Sequence, residues 1–89
     1  MLYCLVCIDK EDSIETRMRN REEHLRYVKE TNVVKFAGPF LSEEDTMIGS
    51  LIVIDVENKE AAELWSINDP YKKADLFKKT EIFKFKHLI

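Results

Sequence analysis

One short segment near the start of the chain contains three side chains that can bind or move charge: Arg17, Arg21 and His24. Plotted as a helix, at about 100° per residue, they fall inside or along one edge of the apolar stripe. That stripe consists of Ile14, Met18, Leu25 and Val28. Because arginine is rarely buried without a partner, Arg21 either reaches water through its long stem or faces a cleft. Since three such groups share one edge, we favour a cleft that accepts an anion.

The histidine of this segment could act as a general base if a carboxylate holds one of its ring nitrogens. The candidate carboxylates are Asp9, Asp45, Asp55 and Asp69. Asp69 is the most informative, because it opens the sequence "NDPY", in which Pro70 restricts the backbone and Tyr71 adds an aromatic hydroxyl. The same arrangement suits a helix N-cap followed by proline, so both roles are open. The other histidine, His87, is predicted to be a surface residue at a strand end.

The two cysteines, Cys4 and Cys7, have the spacing of a redox pair or of half a zinc site. In a strand, however, an offset of three residues points the two side chains to opposite faces. No second pair of cysteines or histidines completes a four-ligand set. We therefore predict free thiols in a reducing compartment, with no metal site and no cofactor.

The elements that must position these residues follow from hydrophobic periodicity. Apolar runs or alternation predict strands at residues 2–9, 32–40, 46–56 and 80–89, and helical spacing predicts helices at 13–30 and 57–68. Asp69 and Pro70 predict one further helical turn. The order βαββαβ is the ferredoxin-like arrangement, an α+β fold in which two helices cover one face of a four-stranded antiparallel sheet.

The first and third strands are apolar on both faces, although two helices cover only one. We therefore expect the uncovered face to meet a second copy of the chain, giving a homodimer packed sheet on sheet.

Length and charge limit the remaining possibilities. A chain of 89 residues predicts one domain, 1–89. The net charge is −3, and the basic residues are interspersed with acidic ones, which argues against a nucleic-acid partner. No apolar run approaches the roughly 20 residues that span a bilayer, so we expect no membrane partner and a cytoplasmic location.

Several motifs together resemble those of the YciI-like family, small bacterial proteins with a dimeric α+β barrel fold. They are "REEHL" at 21–25 after Arg17, "AGPF" at 37–40, "GSLIVIDVENKEAAELW" at 49–65, "DPY" at 69–71 and an aromatic, lysine-rich final strand. The resemblance covers nearly the whole chain. It implies an active-site histidine and aspartate, which correspond to His24 and Asp69. Loop 41–46 is shorter than is usual in the family, so its substrate contacts do not carry over.

One relative in the family that this chain resembles is a dehydrochlorinase acting on a chlorinated hydroxyhydroquinone. The resemblance therefore favours a hypothesis of proton transfer on a small anionic or phenolic substrate. In that hypothesis His24 is the general base of a lyase or isomerase and Asp69 orients it. Arg17 and Arg21 hold an anionic oxygen, and Phe40 and Tyr71 form the wall. The alternative is a non-catalytic module that binds a small anion or a partner segment in the same cleft.

Overall fold

The computed structural model describes residues 1–89 and confirms the predicted α+β fold. Its elements are β1 (Leu2–Asp9), α1 (Ile14–Arg19), α2 (Arg21–Thr31), β2 (Val34–Leu41), β3 (Met47–Asp55), α3 (Lys59–Ile67), α4 (Pro70–Lys73) and β4 (Phe77–Phe85). The strands form one antiparallel sheet in the order β2-β3-β1-β4. No helix is long and apolar enough to cross a membrane.

The register of the central strands decides which side chains meet the helices. Leu5 of β1 lies opposite Ile52 of β3, and both are almost fully buried. Alternate residues of each strand therefore enter one core with the helices. That core contains Tyr3, Leu5, Cys7, Ile52, Ile54, Ala62, Trp65, Tyr71, Leu76 and Phe77. Cys4 and Cys7 are free and lie on opposite faces, as their spacing predicted.

The first helical segment differs from the prediction in two ways. It is broken at Asn20, which ends α1 and precedes α2, so a single helix over 13–30 is wrong. Three members of the predicted buried stripe are also wrong, because Ile14, Met18 and Leu25 are 37%, 50% and 47% exposed, whereas Val28 packs against the core. Arg17 and His24 are buried instead. Polar groups face inward here because each finds a buried polar partner, which removes the penalty of taking it out of water.

The second half of the chain follows its local signals closely. The side chain of Asn58 accepts a hydrogen bond from the Ala61 backbone N–H and caps α3. Asp69 caps α4, with Pro70 at the first position. In α3 the buried face is formed by Ala62 and Trp65, and Leu64 is exposed.

The two edge strands are shifted from their predicted limits. β2 continues through Gly38 and Pro39, because an edge strand tolerates proline. β4 begins at Phe77 instead of residue 80 and ends at Phe85, so His87 lies beyond it. In the middle of the sheet, β1 and β3 approach so closely that a Cβ at Gly49 would overlap the carbonyl oxygen of Cys7.

The face of the sheet away from the helices is largely apolar. Phe36, Phe83 and Phe85 are 43%, 52% and 37% exposed on it, and the alternate residues of β1 are half-buried. This uncovered face agrees with the pattern that the sequence predicted.

Candidate active site

The hydrogen bond between His24 and Asp69 joins α2 to the N-terminus of α4. His24 Nδ1 lies 2.7 Å from Asp69 Oδ1, and the two residues are 7% and 2% exposed. The same oxygen accepts the backbone N–H of Tyr71 at 2.9 Å. Asp69 is therefore both a helix cap and the partner of the histidine, so the two roles that the sequence left open are filled by one carboxylate.

This contact sets the chemistry available to the imidazole. When Nδ1 donates its proton to Asp69, Nε2 is the ring nitrogen left to accept a proton. The ring of Tyr71 stacks on that of His24, with centroids 4.0 Å apart and planes inclined by 12°. The histidine is thus held in position by a hydrogen bond at one atom and by an aromatic face, which suits a general base.

Arg17 is buried beside this pair, and its Nε and Nη2 donate to protein groups. Its Nε and Nη2 donate to the two carboxylate oxygens of Asp9 at 2.8 and 3.0 Å, and Nη2 also donates to Ser50 Oγ at 2.9 Å. Its guanidinium lies 4.8 Å from the centre of the Tyr71 ring. Burial opposes the charge of Arg17, but Asp9 outweighs burial and raises the arginine pKa. Arg17 therefore carries a permanent charge that Asp9 balances.

Arg21 is the free cation of the site. The sequence placed it inside the buried stripe, but the structure exposes it at the first turn of α2, where it makes no ion pair. It borders the same cavity as His24 and Arg17. Because its charge is not balanced by a neighbouring carboxylate, it is better placed than Arg17 to hold a substrate anion.

These residues surround a cavity of about 240 Å³ between α1, α2, the N-terminus of α4 and the sheet. Its wall contains Arg17, Arg21, His24, Leu25, Ala37, Gly38, Pro39, Met47, Ser50, Ile52 and Tyr71. Burial raises the pKa of Tyr71, with Arg17 and Arg21 opposing the rise, so the phenol keeps its proton at neutral pH. A small, mostly apolar space with polar groups on one side suits a molecule of about one ring.

Not every predicted site residue reaches this cavity. Phe40 lies opposite Gly49, on the side of the sheet away from the helices, so the structure does not bring it to the wall occupied by Tyr71. The neighbouring Pro39, opposite Ser50, takes the place that the sequence gave to Phe40. The reason is the strand alternation of β2, in which successive side chains point to opposite faces.

The sequence missed Ser50 and left Asp9 as one of four candidate carboxylates. A signal for Ser50 existed, because it stands on the alternation of β3 that buries Ile52 and Ile54. A hydroxyl at such a position has to find a partner. Two other candidate acids, Asp45 and Asp55, are exposed, and Asp55 binds the N-terminal amine.

A larger and separate cavity of about 440 Å³ lies beyond the end of β1. Its wall includes loop residues 10–13 and Lys78 but neither His24 nor Asp69. We therefore place the candidate active site in the smaller cavity.

Cys7, close to that cavity, is not a nucleophile, because burial raises its pKa to about 12.

Comparison with solved structures finds a closely similar enzyme. The 5-chloro-2-hydroxyhydroquinone dehydrochlorinase TftG from Burkholderia phenoliruptrix, solved in complex with 2,5-dihydroxybenzoquinone, superimposes with a TM-score of 0.89 at 28% identity. The match covers 98% of this chain and 95% of the enzyme. An antibiotic biosynthesis monooxygenase structure from Bacteroides thetaiotaomicron, at 14% identity and a TM-score of 0.60, shares the fold alone.

Sequence comparisons agree with the structural match. Protein YciI of Escherichia coli is 30% identical, with 97% of each chain covered, and an uncharacterized protein of Haemophilus influenzae has the same identity and coverage. The model of the YCII-related domain matches residues 1–86. These matches confirm the resemblance that the sequence motifs indicated, and the chain belongs to the YCII-related domain family.

Proposed function

We propose that this protein is a cofactor-independent enzyme of lyase or isomerase type that transfers a proton on a small anionic or phenolic molecule. The observation that carries the proposal is the buried hydrogen bond between His24 and Asp69 at the wall of a cavity that also presents the unpaired Arg21. A base, its orienting acid and a cation for the developing negative charge are the groups such a reaction needs.

In the proposed reaction, His24 Nε2 removes a proton from the bound substrate. Asp69 keeps the imidazole in the required tautomer and stabilises the imidazolium that forms. Arg21 stabilises the negative charge that develops on a substrate oxygen. Arg17, balanced by Asp9, holds the Tyr71 ring against which the histidine stacks.

The similarity to the dehydrochlorinase supports this choice of reaction. Loss of hydrogen chloride requires a base to take a proton while chloride leaves, and the proposed site offers that base without a metal ion or cofactor. The ligand of the related structure, 2,5-dihydroxybenzoquinone, is a single oxygenated ring, and the cavity of about 240 Å³ has room for one ring.

The test compares chloride release from 5-chloro-2-hydroxyhydroquinone by the wild-type protein and by His24→Ala. We expect the variant to lose roughly 10²- to 10⁴-fold in rate, the usual contribution of a general base. The matched control is His87→Ala, because His87 is exposed near the C-terminus and outside the cavity.

Equal turnover by wild type and His24→Ala would reject the histidine as base. Binding of 2,5-dihydroxybenzoquinone with no turnover of any tested phenol or enol would favour the alternative, a non-catalytic module for small anions. Failure to bind either compound would reject the phenolic substrate class.

We also propose that the protein acts as a homodimer packed sheet on sheet, in the cytoplasm, where Cys4 and Cys7 stay as free thiols. The support is the exposed apolar face with Phe36, Phe83 and Phe85. Sedimentation equilibrium at micromolar concentration should give twice the mass of one chain, and Phe83→Glu should shift it to that of a monomer. A wild-type monomer would contradict the proposal.

A further inference from the structure

Ser50 is a buried hydroxyl at the inner end of the candidate site. It lies on the helix-facing side of β3, is 4% exposed and borders the cavity that contains His24. Its oxygen accepts a hydrogen bond from Arg17 Nη2 at 2.9 Å. The position of the Ser50 hydroxyl is therefore fixed by Arg17, which is itself held by Asp9.

The proton of this hydroxyl is uncommitted. A serine hydroxyl offers one donor and two acceptor positions, and the only protein hydrogen bond to the Ser50 side chain uses an acceptor position. A hydroxyl that accepts from a charged donor becomes polarised and donates more strongly. A buried donor of this kind is costly unless a partner satisfies it.

A second buried hydroxyl shows that burial alone does not make such a site. Thr80 of β4 and Ser50 of β3 both lie opposite Cys7, on the same face of the sheet. Thr80 Oγ1 is buried and has no hydrogen-bond partner, but it is not part of the cavity wall. Ser50 differs from Thr80 in two respects: it accepts a hydrogen bond from Arg17, and it borders the cavity.

We infer that Ser50 is a substrate-binding residue that donates its hydroxyl proton to an oxygen of the substrate, a phenolate, enolate or carbonyl oxygen. The inference rests on the proposed function and extends it, because it adds a neutral donor inside the cavity to the cation at its rim. Arg17 then acts on the substrate through Ser50, as a positioning residue, and Arg21 contacts it directly.

The experiment measures binding of two probes, 2,5-dihydroxybenzoquinone and 4-nitrophenolate, whose visible absorption responds to hydrogen bonding at oxygen. The variants are Ser50→Ala, which removes the donor, and Ser50→Thr, which keeps it. Thr80→Val is the matched control, since it removes the other buried hydroxyl of this face. Should Ser50→Ala fail to fold, Ser50→Cys replaces the donor by a weak one at similar size.

We expect Ser50→Ala to weaken binding of both probes roughly ten- to hundredfold, the effect of losing one hydrogen bond to a charged group. The absorption shift of bound 4-nitrophenolate should shrink with it. Ser50→Thr should retain most of the affinity and the shift, and Thr80→Val should behave as wild type.

Unchanged affinity and unchanged spectra in Ser50→Ala would overturn the inference, whatever the turnover. Ser50-dependent binding of 4-nitrophenolate without turnover of any phenol would uphold Ser50 and reject the proposed enzyme. Wild-type protein that binds neither probe would reject both.

Discussion

Two buried acid–base pairs contact the Tyr71 ring, and they differ in what each can do. Arg17 and Asp9 share two hydrogen bonds, and the guanidinium keeps its proton at every physiological pH. His24 and Asp69 share one, and the imidazole has a second nitrogen that can gain or lose a proton. The first pair therefore supplies fixed geometry, whereas the second can take part in proton transfer.

This difference separates stability from activity within one small site. Removing a partner from the permanent ion pair leaves a buried charge, so its cost should appear in the free energy of unfolding. Removing the partner of the histidine changes its tautomer and orientation, so its cost should appear in turnover. The predictions below test that separation, from the largest expected effect to the smallest.

The largest effect is expected for Asp9→Ala. Because Arg17 is 3% exposed, it would keep only Ser50 as a hydrogen-bond acceptor, and the free energy of unfolding should fall by about 3–5 kcal/mol. Urea denaturation followed by circular dichroism measures the change. The double variant Asp9→Ala/Arg17→Met should recover part of the loss. A single variant as stable as wild type would show that the pair does not hold the site together.

A smaller effect, and one of another kind, is expected for Asp69→Asn. The amide fills the same space, so the fold should persist, but an amide N–H turned toward His24 gives up the cap on α4, because Asp69 Oδ1 serves both His24 and the Tyr71 backbone N–H. An Asn amide can present N–H to His24 Nδ1 and so favour the other tautomer, in which Nε2 carries the proton. Turnover should fall by roughly 10- to 100-fold, and ¹⁵N shifts of the imidazole should report the change of tautomer. Unaltered ¹⁵N shifts would contradict the orienting role of Asp69.

The smallest effect is expected at an exposed ion pair, Lys10 with Asp75, which serves as the comparison outside the site. The hydrogen bond and charge of Lys10 lower the pKa of Asp75. The stabilisation that ionised Asp75 gives the folded state is therefore present above the ordinary carboxylate pKa. It is lost as the pH falls through the lowered pKa. Lys10→Ala should return the Asp75 titration, followed by carboxyl ¹³C NMR, to the ordinary range, with no measurable loss of stability at pH 7. A large fall in the free energy of unfolding of Lys10→Ala would show that this exposed pair stabilises the fold as much as the buried pairs do, and would contradict the prediction.

The sequence was most informative where local rules decide the outcome. Asn58 and Asp69 cap helices because their side chains satisfy backbone N–H groups only a few residues away. The order of the elements along the chain and the opposite directions of Cys4 and Cys7 follow from periodicity. Local sequence made Asp69 the most informative of four candidate partners for His24, and the family resemblance then paired the two, since 45 residues separate them and no local rule connects them.

The sequence was least informative where a polar group finds a distant partner. Helical periodicity assigns the apolar side chains Ile14 and Met18 to the core, yet they are exposed and Arg17 is buried. That reversal depends on Asp9 and Ser50, which lie on two different strands. Only the folded sheet brings them together, so the hydrophobic pattern of the helix alone gives the wrong face.

The two glycines of the chain have unequal consequences for redesign of the cavity. Gly49 keeps β1 and β3 close, and any side chain there would collide with the Cys7 backbone, so a library that varies it would yield mostly unfolded clones. Gly38 borders the cavity, and an added Cβ would meet nothing within 4 Å. Because Gly38 lies opposite Leu51, on the face away from the helices, a side chain at 38 would project toward the proposed dimer surface, so this position tolerates substitution but offers redesign a way to that surface and not into the cavity.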